Sequence, residues 1–227
     1  MILESQFETD LSSVAALMGE PARAAMLCAL MDGLALPAGE LAQVANVSPQ
    51  TASTHLLKLL DGKLVAVESH GRHRYYRLSS AEVATALEAL MVLAPQAKKQ
   101  NSSDTDLCFA RTCYDHLAGW LGVEFTRALK ESGHLETDGL QFNLTPTGWK
   151  TLEEFGLDLE TLALQRNFAK ACLDWTERKH HLGGALGRAI TARMLELKWL
   201  VRLPNGRALR VTETGRLGLQ KTFGIQL

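Results

Sequence analysis

Long apolar runs are missing from this chain: no window approaches the roughly 18 uninterrupted apolar residues that a membrane-spanning helix needs. The first twenty residues, MILESQFETDLSSVAALMGE, hold four acidic side chains and no lysine or arginine, so the positive start of a secretory signal is also absent. Cysteine is scarce, four in 227 residues (Cys28, Cys108, Cys113, Cys172), which excludes a disulfide scaffold and suits a reducing compartment. A cytoplasmic protein is expected. Net charge is small as well, at -1, and taken globally this speaks against a nucleic-acid partner. The 46% of hydrophobic and 22% of charged residues are those of an ordinary globular protein, long enough for two small domains with cores of their own.

Distribution overrides the total, because a phosphate backbone responds to charge within a Debye length. The first 95 residues contain six Lys/Arg against ten Asp/Glu, and five of the six fall between Lys58 and Arg77. Around them the apolar spacing predicts helices over LSSVAALMG, PARAAMLCALMDG (stopped at Gly33) and PAGELAQVA, with Leu27, Leu30, Met31, Leu41 and Val44 facing inward. Ser48 is a good N-cap and Pro49 suits a first helical position, so SPQTASTHLLKLLDGKL is expected to be a fourth helix. Its leucines line one flank, while Gln50, Thr51, Ser53, Thr54, His55 and Lys58 make the other polar. VAVESHGRHRYYRLS then changes to period two around a glycine turn, a hairpin, before SSAEVATALEALMVLA returns to helix and Pro95 ends it.

Four helices, a hairpin and a helix make a winged helix-turn-helix plan. Gln50 can offer a bidentate amide to adenine, and Thr51, Ser53 and Thr54 are short donors or acceptors. His55 and Lys58 can reach bases or phosphates, while Arg72, His73, Arg74 and the tyrosines of the wing would lie over phosphate or the minor groove. The bland alternative is a solvated helix face beside a charged hairpin; the capped helix, the basic wing and the clustered cations together favour double-stranded DNA. LMGEPARAAMLCALMDG, GELAQVANVSPQTASTHLLKLLDGKLV and ESHGRHRYYRLS resemble the opening helix pair, the helix-turn-helix and the wing of the arsenical-resistance-repressor (ArsR) family of bacterial regulators. The resemblance covers about residues 10 to 95. It implies a homodimer joined by the first and fifth helices, bound to an imperfect palindrome at a promoter and repressing until an inducer binds. The third helix, ELAQVA, lacks the cysteine pair of the metal-sensing members, and the fifth lacks the aspartate and histidines of the zinc-sensing type, so neither metal site is inherited.

The remainder repeats itself. Ala110, Cys113, Asp115, His116, Leu117, Gly119, Leu121 and Gly122 recur as Ala169, Cys172, Asp174, His181, Leu182, Gly184, Leu186 and Gly187, the second copy holding six extra residues, WTERKH. Each copy continues through helix, apolar exit, hairpin, hydroxyl cap and helix, as the N-terminal module does. The expected fold is therefore mainly α with small β-hairpin wings. It comprises a winged helix-turn-helix DNA-binding and dimerisation domain at 1–95, a linker at 96–106, and a duplicated winged-helix-like domain at 107–227 (about 107–160 and 166–227) that senses a ligand or stabilises the dimer. The last wing keeps Arg202, Arg207 and Arg210, which leaves a second DNA contact open; the first C-terminal wing carries Glu136 and Asp138 instead.

Cys113 and His116, three apart, would share the face of a helix. If the repeats pack face to face, Cys113, His116, Cys172 and His181 could form a Cys2His2 zinc set, though nothing in the spacing demands it. A redox thiol at Cys113, its pKa depressed by a helix N-terminus, is a further alternative, and a Cys113–His116 nucleophile pair is weaker because no orienting group is evident. The favoured role of Asp115 and Asp174 is structural: together with the histidines, they are expected to pair to backbone NH groups at helix starts or to Arg111 and the Trp175–Arg178 insert. The tryptophans, 120, 149, 175 and 199, are expected in the core, with a pocket between the repeats as the natural inducer site. The resulting expectation is a homodimeric repressor without enzymatic activity or cofactor, with a metal- or redox-sensing regulator through Cys113/Cys172, or an enzyme in the C-terminal half, as alternatives.

Overall fold

The structure, a computed structural model, describes residues 10–70, 73–94, 102–204 and 206–227. Two compact units emerge, Met1–Thr85 and Ala86–Leu227.

In the first unit α1 (Leu11–Gly19) starts at the Asp10 cap, whose carboxylate accepts from the Ser13 NH at 3.1 Å. α2 (Pro21–Ala29) has proline at its first position and Glu20 as cap. The two are tied by Arg23, buried despite its charge because its guanidinium donates to the carbonyls of Ala16 (2.8 Å) and Leu17 (2.7 Å), groups left over at the end of α1. A 3-10 turn, Leu30–Asp32, stops at Gly33 with φ 72, which only glycine adopts cheaply. β1 (Leu36–Pro37), α3 (Ala38–Val44), α4 (Pro49–Asp61), β2 (Val65–His70) and β3 (His73–Leu78) complete the unit, with the antiparallel sheet in the order β1-β3-β2. Met26, Leu27, Leu30, Met31, Leu41, Leu56 and Leu59 are wholly buried, so the expected inward stripes form one core. Val44 instead lies exposed at the end of its short helix. α5 (Ala81–Leu93) follows, and the division between units falls inside it rather than at Pro95. Its second half belongs to the C-terminal unit, where Glu88 accepts from Arg207 at 3.1 Å.

Residues 102–106 of the expected linker are helical, in α6 (Ser102–Phe109). The polar sequence hides this, because the apolar anchor comes only at the end, where Phe109 stacks on Trp120 at 5.4 Å. The first repeat is then β4 (Arg111–Cys113), β5 (His116–Ala118), α7 (Gly119–Glu131), β6 (Leu135–Asp138), β7 (Gln141–Leu144) and α8 (Pro146–Glu154), followed by α9 (Leu159–Ala163). The second is β8 (Lys170–Leu173), β9 (His180–Gly183), α10 (Gly184–Glu196), β10 (Leu200–Arg202), β11 (Leu209–Val211) and α11 (Glu213–Phe223). The same elements recur in the same order in the two stretches.

One expectation needs correcting: CYDH does not begin a helix. Cys113 and His116 are cross-strand partners in the β4–β5 hairpin, and Cys172 and His181 are partners in the β8–β9 hairpin. The extra WTERKH lengthens the loop of the second hairpin, residues 174–179, and contributes His180 to the start of β9. Each helix begins after its hairpin, at Gly119 (φ 78) and Gly184 (φ 76); a Cβ at these sites would lie 2.8 Å from Cys108 O and 2.3 Å from Asn167 O, respectively.

The repeats are exchanged rather than merely stacked. The wing of the first pairs with the hairpin of the second, Phe142 NH donating to Ala169 O (2.9 Å) and Ala171 NH to Leu140 O (3.0 Å). Reciprocally, Leu209 NH donates to Ala110 O (2.8 Å) and Thr112 NH to Arg207 O (3.0 Å). The first exchange yields the four-stranded sheet β6-β7-β8-β9. One hydrophobic core runs through both repeats, including Leu121, Phe125, Leu152, Leu186, Ile190 and Leu219, and Phe223 meets Phe125 and Phe155 edge-on at 4.8 and 5.2 Å.

Candidate nucleic-acid interface and the buried cysteine–histidine cluster

α3 and α4 meet through a turn in which Asn46 takes the left-handed conformation (φ 51), one that asparagine tolerates better than most residues. Ser48 then caps α4, accepting from the Thr51 NH at 3.1 Å. Because Ala52, Leu56 and Leu59 are anchored in the core, Gln50, Thr51, Ser53, Thr54 and Lys58 are turned to solvent. Ser53 and Thr54 donate to the carbonyls of Pro49 (2.9 Å) and Gln50 (3.2 Å), which leaves their oxygen lone pairs outward as acceptors. His55 differs from its neighbours: its Nδ1 lies 3.4 Å from Glu20 and its side chain is 15% exposed, so it braces α4 on α2.

On the wing, Arg74 is exposed and Tyr76 is buried, pairing across from Leu36, so that tyrosine belongs to the core and not to the outer face. Arg77 is held by Glu68 at 2.6 Å. Arg72 lies outside the described residues, as does the side chain of His73. Lys58, Lys63 and Arg74 make no ion pair among the described residues, so their charge remains available to a polyanion.

In the C-terminal unit Asp174 is the hub. One oxygen accepts from Arg111 Nη2 and from the Gly119 NH, both at 2.8 Å, and the other accepts from the Thr176 and Glu177 NH groups at 2.9 and 3.0 Å. Burial opposes its ionisation, but Arg111 and these donors hold its pKa well below the usual carboxylate range. Arg111 also lies over the Trp175 ring at 4.7 Å. The structural role expected for Asp174, on a helix-start NH and on Arg111, is thus observed, whereas Asp115 binds His116 (3.1 Å) and lies 3.7 Å from Arg188.

The exchange of repeats brings Cys113, His116, Cys172 and His181 together, one ligand atom from each lying within 4.8 Å of the others. The cysteine sulfurs are 3.7 Å apart and the two Nε2 atoms 3.1 Å apart. The hydrogen bond to Cys172, with burial, pushes the Cys113 pKa up, while the contact with Cys113 and the two facing imidazoles pull the Cys172 pKa well below the usual thiol range. This reverses the expectation that Cys113 is the activated thiol: it sits in a strand, not at a helix N-terminus, and its pKa is raised rather than depressed. Burial lowers the pKa of His116, but the bond to Asp115 and the Cys172 thiolate outweigh it and raise it to about 9.

Each helix is also locked to the opposite hairpin. Leu182 NH donates to Thr126 Oγ1 and Leu117 NH to Thr191 Oγ1, both at 2.8 Å, while these hydroxyls donate to Gly122 O and Gly187 O. Thr126 and Thr191 stand at the same place in the two copies, a recurrence legible in the sequence but not singled out there. On the last wing Arg202 and Arg210 are exposed, whereas Arg207 is only 8% exposed and bonded to Glu88, which removes it from the set of free wing cations.

A capped, outward-facing α4, the preceding α3 and a hairpin wing define a winged helix-turn-helix, and the chain belongs to the HTH-type transcriptional regulators, a class of DNA-binding proteins in keeping with its ArsR resemblance. The helix-turn-helix domain family matches residues 18–68. The HTH-type transcriptional regulator YdfF of Bacillus subtilis (strain 168) is 46% identical over 223 residues, covering 96% of this chain and 99% of the relative. Among solved structures, HlyU from Vibrio cholerae is 32% identical over 37% of this chain and 91% of its own, with a TM-score of 0.35. NolR from Sinorhizobium fredii is 29% identical over 38% and 85%, also at 0.35. No helix among the described residues is long and apolar enough to cross a membrane.

Proposed function

We propose that the protein is a homodimeric repressor whose first unit reads promoter DNA, with α4 in the major groove and the wing over the flanking backbone. The observation that carries this reading is the face of α4: Gln50, Thr51, Ser53 and Thr54 are exposed together, next to the unpaired Lys58. Gln50 is the candidate for bidentate contact with adenine, and Lys58, Lys63 and Arg74 for phosphate. Dimerisation is supported by apolar side chains that the monomer leaves in water: α1 buries none of its residues, Leu11 is 77% exposed, and on α5 Leu93 is 81% exposed. A groove of about 450 Å3 between the two C-terminal repeats, lined by Thr126, Arg127, Phe142, Ala171 and His180, is the candidate inducer site. An inducer there acts if it favours a dimer whose recognition helices no longer match the half-site spacing.

Nuclease footprinting on the fragment upstream of the protein's own coding sequence tests the reading. Two protected half-sites about one helical turn apart, with affinity falling steeply as salt rises, are expected. Binding that is insensitive to salt, or no protection at concentrations that saturate a known regulator, would overturn it.

A further inference from the structure

We infer that Cys113, His116, Cys172 and His181 form a four-coordinate site for a borderline-soft divalent cation, of which zinc is the chemical type, and that the ion cross-links the two C-terminal repeats. This goes beyond the DNA-reading function and does not depend on it.

The sulfur–sulfur and nitrogen–nitrogen separations are those of a tetrahedral site. With metal–sulfur bonds of about 2.3 Å and metal–nitrogen bonds of about 2.0–2.1 Å, ligand atoms at tetrahedral angles are separated by about 3.8 Å for two sulfurs and about 3.3 Å for two nitrogens. The observed separations are 3.7 Å and 3.1 Å. All four atoms lie within 4.8 Å of one another, so closing on an ion takes side-chain shifts of about an ångström. Each hairpin supplies one cysteine and one histidine from directly opposed positions, and the reciprocal threonine bonds hold the two hairpins together.

The surroundings point the same way. Each histidine turns Nε2 toward the cluster and has a carboxylate of its own repeat at Nδ1: Asp115 at 3.1 Å for His116, and Asp174 at 3.4 Å, poorly aligned, for His181. A carboxylate there selects the tautomer whose Nε2 lone pair faces a metal, and it raises the basicity of that nitrogen. Two sulfurs and two imidazole nitrogens converging in a buried pocket, with His181 wholly buried and Cys113 at 2% exposure, are poorly served by one another alone. A Cβ on Gly183 would sit 3.1 Å from His116 Nε2 and 3.4 Å from the Cys172 Cβ, so the absence of a side chain there keeps space beside the ligands. Two thiolates with two imidazoles suit zinc-type ions and not magnesium or calcium, and four protein ligands leave no open position for substrate, so the site is a clamp rather than a catalytic centre. On binding, the protons still held by the thiols and by the His116 imidazolium leave to solvent, so that two thiolates and two neutral imidazoles become the ligands.

The test uses the full chain, purified without oxygen and under reductant. Cobalt(II) alone is titrated in, and roughly one equivalent should produce intense visible d–d bands and a near-ultraviolet thiolate charge-transfer band, both bleached by zinc. Cys113→Ser and Cys172→Ser should each lose about half of the charge-transfer intensity, the loss expected for one of two thiolates. The unmutated protein supplies an independent arm in case the variants fail to fold. Zinc should slow alkylation of Cys113 and Cys172 about tenfold or more, read by peptide mass spectrometry, and leave Cys28 and Cys108 unaffected. Weak octahedral cobalt bands, or alkylation of all four cysteines indifferent to zinc, would overturn the proposal.

Discussion

α4 in the first unit and α7 and α10 in the second stand at the same point of a repeated plan, each ahead of a hairpin and a further helix, yet they turn opposite faces to water. α4 displays its hydroxyls, with Thr51, Ser53 and Thr54 all exposed. In α7 and α10 the hydroxyl of Thr126 or Thr191 is buried and accepts an NH from the other repeat. The exits from the three helices are nonetheless equivalent: Ser79, Thr145 and Thr212 donate to Lys63 O (2.6 Å), Gly133 O (2.7 Å) and Lys198 O (2.7 Å). One local grammar therefore serves two purposes. Where the helix keeps its polar face free it can read a ligand, and where that face is buried it joins two copies of itself.

The contrast can be broken most severely at Asp174. Asp174→Ala leaves Arg111 buried without its counter-charge and should cost the C-terminal unit about 3–5 kcal/mol, read as a lower denaturant midpoint. Thr126→Val and Thr191→Val each strand one buried strand NH, and each should cost about 1–3 kcal/mol. The two losses should be similar, since the bonds are reciprocal; a large disparity would show that the exchange is not symmetric in energy. Thr51→Val and Thr54→Val, made on the exposed face of α4, should leave stability nearly unchanged. Gln50→Ala is predicted to relax discrimination at one base pair by about 1–3 kcal/mol without altering the salt slope, checked by binding to operator variants. Ser48→Ala should lower the stability of the first unit by about 1 kcal/mol, the usual effect of a lost N-cap, measured by thermal melting.

Most of the first unit was legible because its signals are local. Ser48 with Pro49 marks the start of α4, Gly33 marks a stop, and the switch to period two at Val65 marks the wing. The repeat was legible too, through matching residues at matching positions. The hairpin character of CYDH was not. Three-residue strands have no usable periodicity, and Tyr114, with φ 58, occupies a turn position that would ordinarily signal itself with glycine or asparagine. Their neighbours arrive from about 60 residues away through the exchange of wings, which no local pattern encodes. Arg207 misled for the same reason: in a hairpin it reads as a solvated cation, and its bond to Glu88, 119 positions earlier, lies beyond any local pattern. His55 reads as part of the polar face of α4, and Glu20 draws it away.

The central claim, that the exposed face of the first unit and not the C-terminal unit meets DNA, is tested most directly by two pairs of charge removals. Lys58→Ala and Arg74→Ala are compared with Arg202→Ala and Arg210→Ala by anisotropy titration against one operator fragment over a range of salt. The first pair should each weaken binding and reduce the slope of log affinity against log salt by about 0.9, one phosphate contact, while the second pair bind as the parent does. Unchanged binding in the first pair with weakened binding in the second would contradict the account.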